Sequence, residues 1–144
     1  MGTLKVSSFM TSKVIAAHPD DGIRHTFFRM RENEVRHMPV LNDEHRLVGI
    51  ISDRDLRRPD WVDEAPDIAH LYNLQDDLVV KDLMSTKVIV THTYESIRKA
   101  TRVLLEHRYG ALPVLNKEDE LVGILSAVDL LQALEVLLDE QKGR

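Results

Sequence analysis

The stretch "PVLNDEHRLVGIISDRDL" at Pro39–Leu56 returns as "PVLNKEDELVGILSAVDL" at Pro113–Leu130, and that return decides the fold. The offset is 74 residues and holds well outside the quoted stretch. Aligning 6–56 with 80–130 takes no gap over 51 positions and gives 21 identities, among them Met10 with Met84, Gly49 with Gly123 and Ser52 with Ser126. A fixed period of that fidelity marks a duplicated supersecondary unit. The 144 residues divide into a first motif at 1–58, an acidic linker at 59–79 and a second motif with a C-terminal helix at 80–144.

Each copy reads as β-α-β-β-α. Val14, Ile15 and Ala16, and in the second copy Val88, Ile89 and Val90, form a short extended apolar run. Asp20 and Asp21, or Thr93 and Ser96, suit the N-terminal cap of a helix. Ile23, Thr26, Phe27 and Met30 then fall at helical spacing, as do Ile97, Ala100, Thr101 and Leu104. Two β runs follow, "HMPVL" and "RLVGIIS" or "ALPVL" and "ELVGILS", separated by a polar turn that starts at Asn42 or Asn116. A second helix begins at Ser52 or Ser126. In the last helix Leu130, Leu134, Leu137 and Leu138 make one stripe that Leu131 and Val136 widen. That face is broad enough for a partner helix, and extra packing over the chain's own sheet satisfies it equally well.

Composition excludes several function classes. Hydrophobic residues are 43% and charged ones 30%, which supports a packed core rather than disorder. With 19 Lys and Arg against 24 Asp and Glu the net charge is −5, a poor footprint for general nucleic-acid binding. The charge is uneven, since the linker carries Asp60, Asp63, Glu64, Asp67, Asp76 and Asp77 with no Lys or Arg. Trp61, Leu71, Tyr72 and Leu74 inside it suggest packing against the body. Absence of cysteine excludes disulfides, a thiol nucleophile and a thiolate zinc site. Apolar runs stay far below the roughly 20 residues of a membrane span. The start "MGTLKVSSFM" fits neither a secretory signal nor the myristoylation pattern, so a cytoplasmic protein with no membrane association is expected.

The sharpest chemical constellation is the strand–Ser–x–x–Asp junction, Ser52 with Asp55 and Ser126 with Asp129. Free N–H groups and the positive helix end at such a junction favour an anion, and the hydroxyl can join them. A carboxylate one turn on can accept both hydroxyls of a ribose diol. The same pattern is also a plain capping box. Elsewhere His18, Asp20 and Asp21 lack the convergence that a metal site needs, so no metal is expected. No nucleophile–base pair, P-loop or Gly-rich dinucleotide loop is present, so no catalytic residue is assigned. The basic residues Arg24, Arg29, Arg31 and Arg36 read as a solvated helix face plus one site residue.

With the repeat goes a resemblance. "MTSKVIAAHPDDGI", "VRHMPVLNDEHRLVGIISDRDL" and the second copy from "DLMSTKVIV" to "LVGILSAVDLL" resemble the CBS motif, named after cystathionine β-synthase. The match covers about 6–140, and "SDRDLRRPD" is similar to stand-alone CBS-pair proteins of acetoin-utilisation type. The resemblance implies an α/β (α+β) fold of two pseudo-symmetric β-α-β-β-α motifs packed through their sheets as a Bateman module. It implies two clefts for adenosine compounds: AMP, ADP or ATP as ligand, with S-adenosylmethionine or NAD behind them, and no required cofactor. A homodimer through the CBS helices follows from the same likeness.

Position by position, the resemblance gives Asp55 and Asp129 the ribose, and Ser52 and Ser126 the hydroxyl before it. Arg36 and His37 match a basic pair that faces phosphates, while Thr91 and His92 line the opposite motif's cleft. Val14, Ile15, Val88 and Ile89 match the strand that borders adenine. One cleft then gathers Arg36, His37, Ser52, Arg54, Asp55, Thr91 and His92, and is expected to take a phosphorylated ligand. The other holds Ser126 and Asp129 but has Gly110, Ala111, Ala127 and Val128 in place of the basic residues, with Ala16, Ala17 and His18 as neighbours. His45 and Asp119 stand where the family carries Gly in the hairpin turns. The expected function is non-catalytic adenine-nucleotide sensing, read out by an effector protein in trans; the alternative is a ligand-free homodimerising module.

Overall fold

A computed structural model describes residues 4–57 and 78–142. Most of the acidic linker, with Trp61, Leu71, Tyr72 and Leu74, lies outside them. The chain forms two compact units, residues 15–88 and residues 1–14 with 89–144.

In the 15–88 unit, helix α1 (Ile23–Glu32) buries Ile23, Thr26, Phe27 and Met30, the four positions at helical spacing. Its cap differs from the acidic start expected at Asp20 and Asp21. Gly22 is the N-cap and supplies no side-chain bond. The Asp21 carboxylate instead accepts the His18 N–H at 2.9 Å, and Asp20 receives Lys81 Nζ at 3.2 Å. Strands β1 (His37–Leu41) and β2 (Leu47–Ser52) pair antiparallel, and helix α2 (Asp53–Arg57) follows at once. Asn42 shapes the turn: its Oδ1 accepts the N–H groups of Glu44 at 3.0 Å and Arg46 at 2.9 Å. His45 takes φ 61° there, the left-handed conformation usually left to Gly. The leading run pairs at Ala17, with N–H to Pro39 O and O from Leu41 N–H, both 2.9 Å. Helix α3 (Val80–Leu83) closes the unit, and Val80 joins Ile23, Phe27, Met38, Ile51 and Leu56 in the core.

The other unit repeats the plan. A 3₁₀ turn at Val6–Ser8 precedes strand β3 (Thr91–His92), helix α4 (Ile97–His107), strands β4 (Ala111–Leu115) and β5 (Leu121–Ser126), and helix α5 (Ala127–Lys142). The sheet runs β3-β4-β5, with β3 parallel and β5 antiparallel to β4. Here the expected cap is present: Ser96 Oγ accepts the Lys99 N–H at 3.1 Å. Asn116 repeats the turn of Asn42, and Asp119 takes φ 62°. Val6, Ala100, Leu104, Leu112, Val114 and Leu125 form the core. Helix α5 turns Ala133 and Leu130 inward, whereas Val128, Leu131, Leu134 and Leu138 are 49–62% exposed.

The segment that leads each repeat closes the unit holding the other repeat's hairpin. Thr11 exchanges two backbone hydrogen bonds with Ile124, both 2.9 Å, and Ser85 exchanges two with Ile50, at 3.0 and 2.9 Å. Gly123 and Gly49 lie beside those pairs because there is no room for a side chain. A Cβ at Gly123 would stand 2.7 Å from Met10 Sδ, and one at Gly49 2.5 Å from Met84 Sδ. The repeated Gly and the repeated Met are therefore the two halves of one contact.

Candidate functional site

The chemistry gathers where β2 becomes α2. Ser52 and Asp55 cap each other: Ser52 N–H donates to Asp55 Oδ2 at 2.9 Å, and Asp55 N–H donates to Ser52 Oγ at 3.1 Å. Both readings of the Ser-x-x-Asp pattern are thus physically compatible. The box uses one carboxylate oxygen, Oδ2, and leaves Oδ1 available to a further donor. Across the hairpin His37 is the register partner of Ser52, and the Arg36 carbonyl accepts the Asp53 N–H at 2.9 Å. Arg36, His37, Ser52, Arg54 and Asp55 therefore share one end of the unit, and the Arg36 and Arg54 side chains are exposed. Burial holds the His37 imidazole below its ordinary value of 6.5, the carboxylates of Asp53 and Asp55 pull it partly back, and the Arg36 guanidinium pushes it down again. A cavity of about 330 Å³ opens beside this end, lined by Phe27, Met30, Arg31, Glu34, Val35, Arg36 and Asp53.

Ser126 and Asp129 build the same box in the other unit, at 2.9 and 3.2 Å. Its carboxylate has an additional partner: Thr11 Oγ1 donates to Asp129 Oδ1 at 3.2 Å and lies 3.5 Å from Oδ2. Asp129 is only 7% exposed. Thr11 was absent from the sequence expectation, and no local signal points to it, because its partner is 118 residues away.

His18 stands at the opposite end of the 15–88 hairpin from Asp55, where its Nε2 meets Asp43 Oδ1 at 2.8 Å. Five strand residues separate the two ends, roughly 17 Å. His92 is placed likewise, with Nε2 3.5 Å from Asp119 and its ring stacked on Tyr94 at 5.1 Å. Thr91 is buried, and its hydroxyl donates to Glu95 Oε2 at 2.8 Å. Glu95 is a second residue that the sequence did not single out. Burial raises its carboxyl, yet the bonds from Thr91 and Lys99 and the charges of Lys99 and His92 prevail and hold it below the ordinary 4.5. Ile15 packs on the core of the 15–88 unit and Ile89 on that of the other, with Val14 and Val88 half-buried. The structure thus brings Arg36, His37, Ser52, Arg54 and Asp55 together, pairs Ser126 with Asp129, and sets His18 and His92 at the far ends of their own hairpins. Among the described residues no three His, Asp or Glu side chains are arranged to hold a metal ion, and no helix is long and apolar enough to cross a membrane.

Solved structures share this architecture. CBSX2, a CBS-pair protein from Arabidopsis thaliana, superposes with a TM-score of 0.81 at 27% identity over 96% of this chain and 99% of that one. A second crystal structure of CBSX2, in complex with AMP, gives a TM-score of 0.75 at 29% identity over 93% and 98%. This chain spans 64% of the full length of the chloroplastic CBSX2 protein. An uncharacterised protein of Methanocaldococcus jannaschii is 28% identical over 92% of this chain and 93% of its own length. A putative acetoin utilization protein of Vibrio cholerae, at 24% identity, shares the fold with a TM-score of 0.77 over 99% and 98%. The CBS domain model matches twice, over residues 6–59 and 80–136. With the 74-residue repeat and the mixed helix-and-strand units it matches, that assigns the chain to the CBS-domain family, as a tandem pair.

Proposed function

We propose that this CBS pair is a non-catalytic regulatory module that binds an adenine nucleotide through Ser52 and Asp55, with Arg36, His37 and Arg54 toward the phosphates. The observation that carries the reading is the Ser52–Asp55 box, which leaves one carboxylate oxygen open for a ribose diol beside exposed guanidinium groups. CBSX2, crystallised with AMP, supports adenosine as the ligand class. Thr91, His92, Val14, Ile15, Val88, Ile89 and His18 enter the proposal through the family resemblance. Ligand binding acts by favouring one of two arrangements of the module, which an effector protein reads in trans.

Calorimetry and thermal shift with AMP, ADP, ATP, NAD and S-adenosylmethionine test this reading. A ligand at about 100 times its dissociation constant stabilises the fold by about 2.7 kcal/mol. Asp55→Ala should sharply reduce that gain, leaving only weak binding. Absence of binding at millimolar concentration, or an Asp55→Ala protein that binds as well as the parent, rejects the assignment.

The second reading is a homodimer through the helices, favoured by the exposed row Val128, Leu131, Leu134 and Leu138 on α5. Replacing Leu134 and Leu138 with Glu should halve the mass measured by light scattering. An unchanged mass rejects a dimer through that row.

A further inference from the structure

The two Ser-x-x-Asp boxes are alike in sequence and internal geometry, yet only one carboxylate is closed by a third group. Thr11 Oγ1 donates to Asp129, whereas Ser85, which occupies the same place in the repeat, makes no bond to Asp55. The backbones that carry them are held alike: Thr11 is paired to Ile124 and Ser85 to Ile50, each by two hydrogen bonds. The difference therefore lies in the side chain. A β-branched Thr is restricted at χ1, which favours a hydroxyl held toward one partner, and Ser lacks that branch. Asp129 is correspondingly buried at 7% exposure, and Asp55 is half-buried.

From this contrast we propose that Thr11 is a built-in occupant of the second carboxylate, so that the residue at 11 and 85 decides which box accepts a ribose diol. The inference rests on the proposed role of Asp55 and Asp129 as diol acceptors. A diol arriving at Asp129 must displace the Thr11 hydroxyl and enter a nearly closed site. At Asp55 it meets an open oxygen. Thr11 is not a ligand-binding residue in this scheme; it sets the specificity of the pair by withholding a carboxylate.

The test is AMP calorimetry on four versions of this chain: Asp55→Ala, Asp55→Ala with Thr11→Ala, Ser85→Thr, and the parent. Alanine removes both the donor and the volume that Thr11 places against Asp129. In the Asp55→Ala background Thr11→Ala should tighten AMP binding at the second box about tenfold, the factor expected for one hydrogen bond to a charged group. Ser85→Thr, which installs the occupant at the first box, should weaken the parent's binding by a similar factor. Circular dichroism identifies any variant that fails to fold, and either remaining substitution then decides. If the parent binds AMP through Asp55 but neither substitution moves the affinity threefold, the gating role of Thr11 is overturned and the proposed ligand site stands. If Asp55→Ala leaves AMP affinity unchanged, the ligand site itself is overturned, and the gate with it.

Discussion

Gly49→Ala perturbs the contact between the first hairpin and the segment that closes its unit. The new Cβ would lie 2.5 Å from Met84 Sδ and 3.0 Å from the Ser85 carbonyl oxygen. The sulfur can move, at the cost of the packing Met84 gives to the core. The carbonyl has no such freedom, because Ser85 O accepts Ile50 N–H at 3.0 Å and Ser85 N–H donates to Ile50 O at 2.9 Å. Overpacking of this kind costs about 1–3 kcal/mol, and stretching the hydrogen-bond pair adds up to about 1 kcal/mol. In the other direction, no glycine of the described residues has positive φ, so Ala fits the backbone and gains about 0.4–1 kcal/mol through the unfolded chain. The clash wins, by about 1.5–2 kcal/mol, or roughly 4–8 °C in Tm. Urea unfolding followed by far-UV circular dichroism at constant m measures it. In a Met84→Ala background, which removes the sulfur but not the carbonyl and has its own packing cost, Gly49→Ala should cost less than in the parent but still destabilise. A Gly49→Ala protein within about 0.5 kcal/mol of the parent, or a Gly49→Ala substitution that costs nothing in the Met84→Ala background, would refute the account.

Gly22→Ser should stabilise the fold by about 0.5 kcal/mol in the same assay, since it gives α1 the side-chain cap that Ser96 already gives α4 and a Cβ there meets nothing within 4 Å. Asn42→Ala removes the acceptor of two turn N–H groups and should cost about 1–2 kcal/mol, read as a lower urea midpoint. His37 is held below 6.5 when folded, so its neutral form stabilises the fold fully above pH 6.5, and that contribution is lost as pH falls through the folded value. His37→Asn should therefore lose less stability than the parent between pH 7.5 and pH 5.5; equal losses would show that burial of His37 is not the cause. Glu95 also loses its contribution on acidification, but only below 4.5, outside that interval.

Much of the fold was readable from periodicity. The helices at Ile23–Glu32 and Ile97–His107, both hairpins with their Asn turns, and the Ser-x-x-Asp junctions lie where spacing and turn chemistry put them. The missing turn glycines at His45 and Asp119 proved to be residues held at positive φ, which short polar and imidazole side chains tolerate better than β-branched ones. The leading strands shifted by a residue from the apolar runs: pairing falls on Ala17 and on Thr91–His92, while Ile15 and Ile89 are spent on core packing. The cap of α1 was misplaced because Asp21 turns back to the His18 N–H instead of forward into the helix.

By itself the sequence determined that two copies of one unit exist, which elements each copy forms, and where a carboxylate meets a strand–helix junction. These are local properties, set by side-chain period, turn residues and a three-residue spacing. Tertiary structure alone decided that the segment leading each repeat closes the other repeat's hairpin, that Gly49 and Gly123 are required by Met84 and Met10, and that Asp129 is occupied by Thr11 while Asp55 keeps an oxygen open. The physical reason is distance along the chain: a hydroxyl and a carboxylate 118 residues apart meet only when the leading segment pairs with β5, and no local pattern records that meeting.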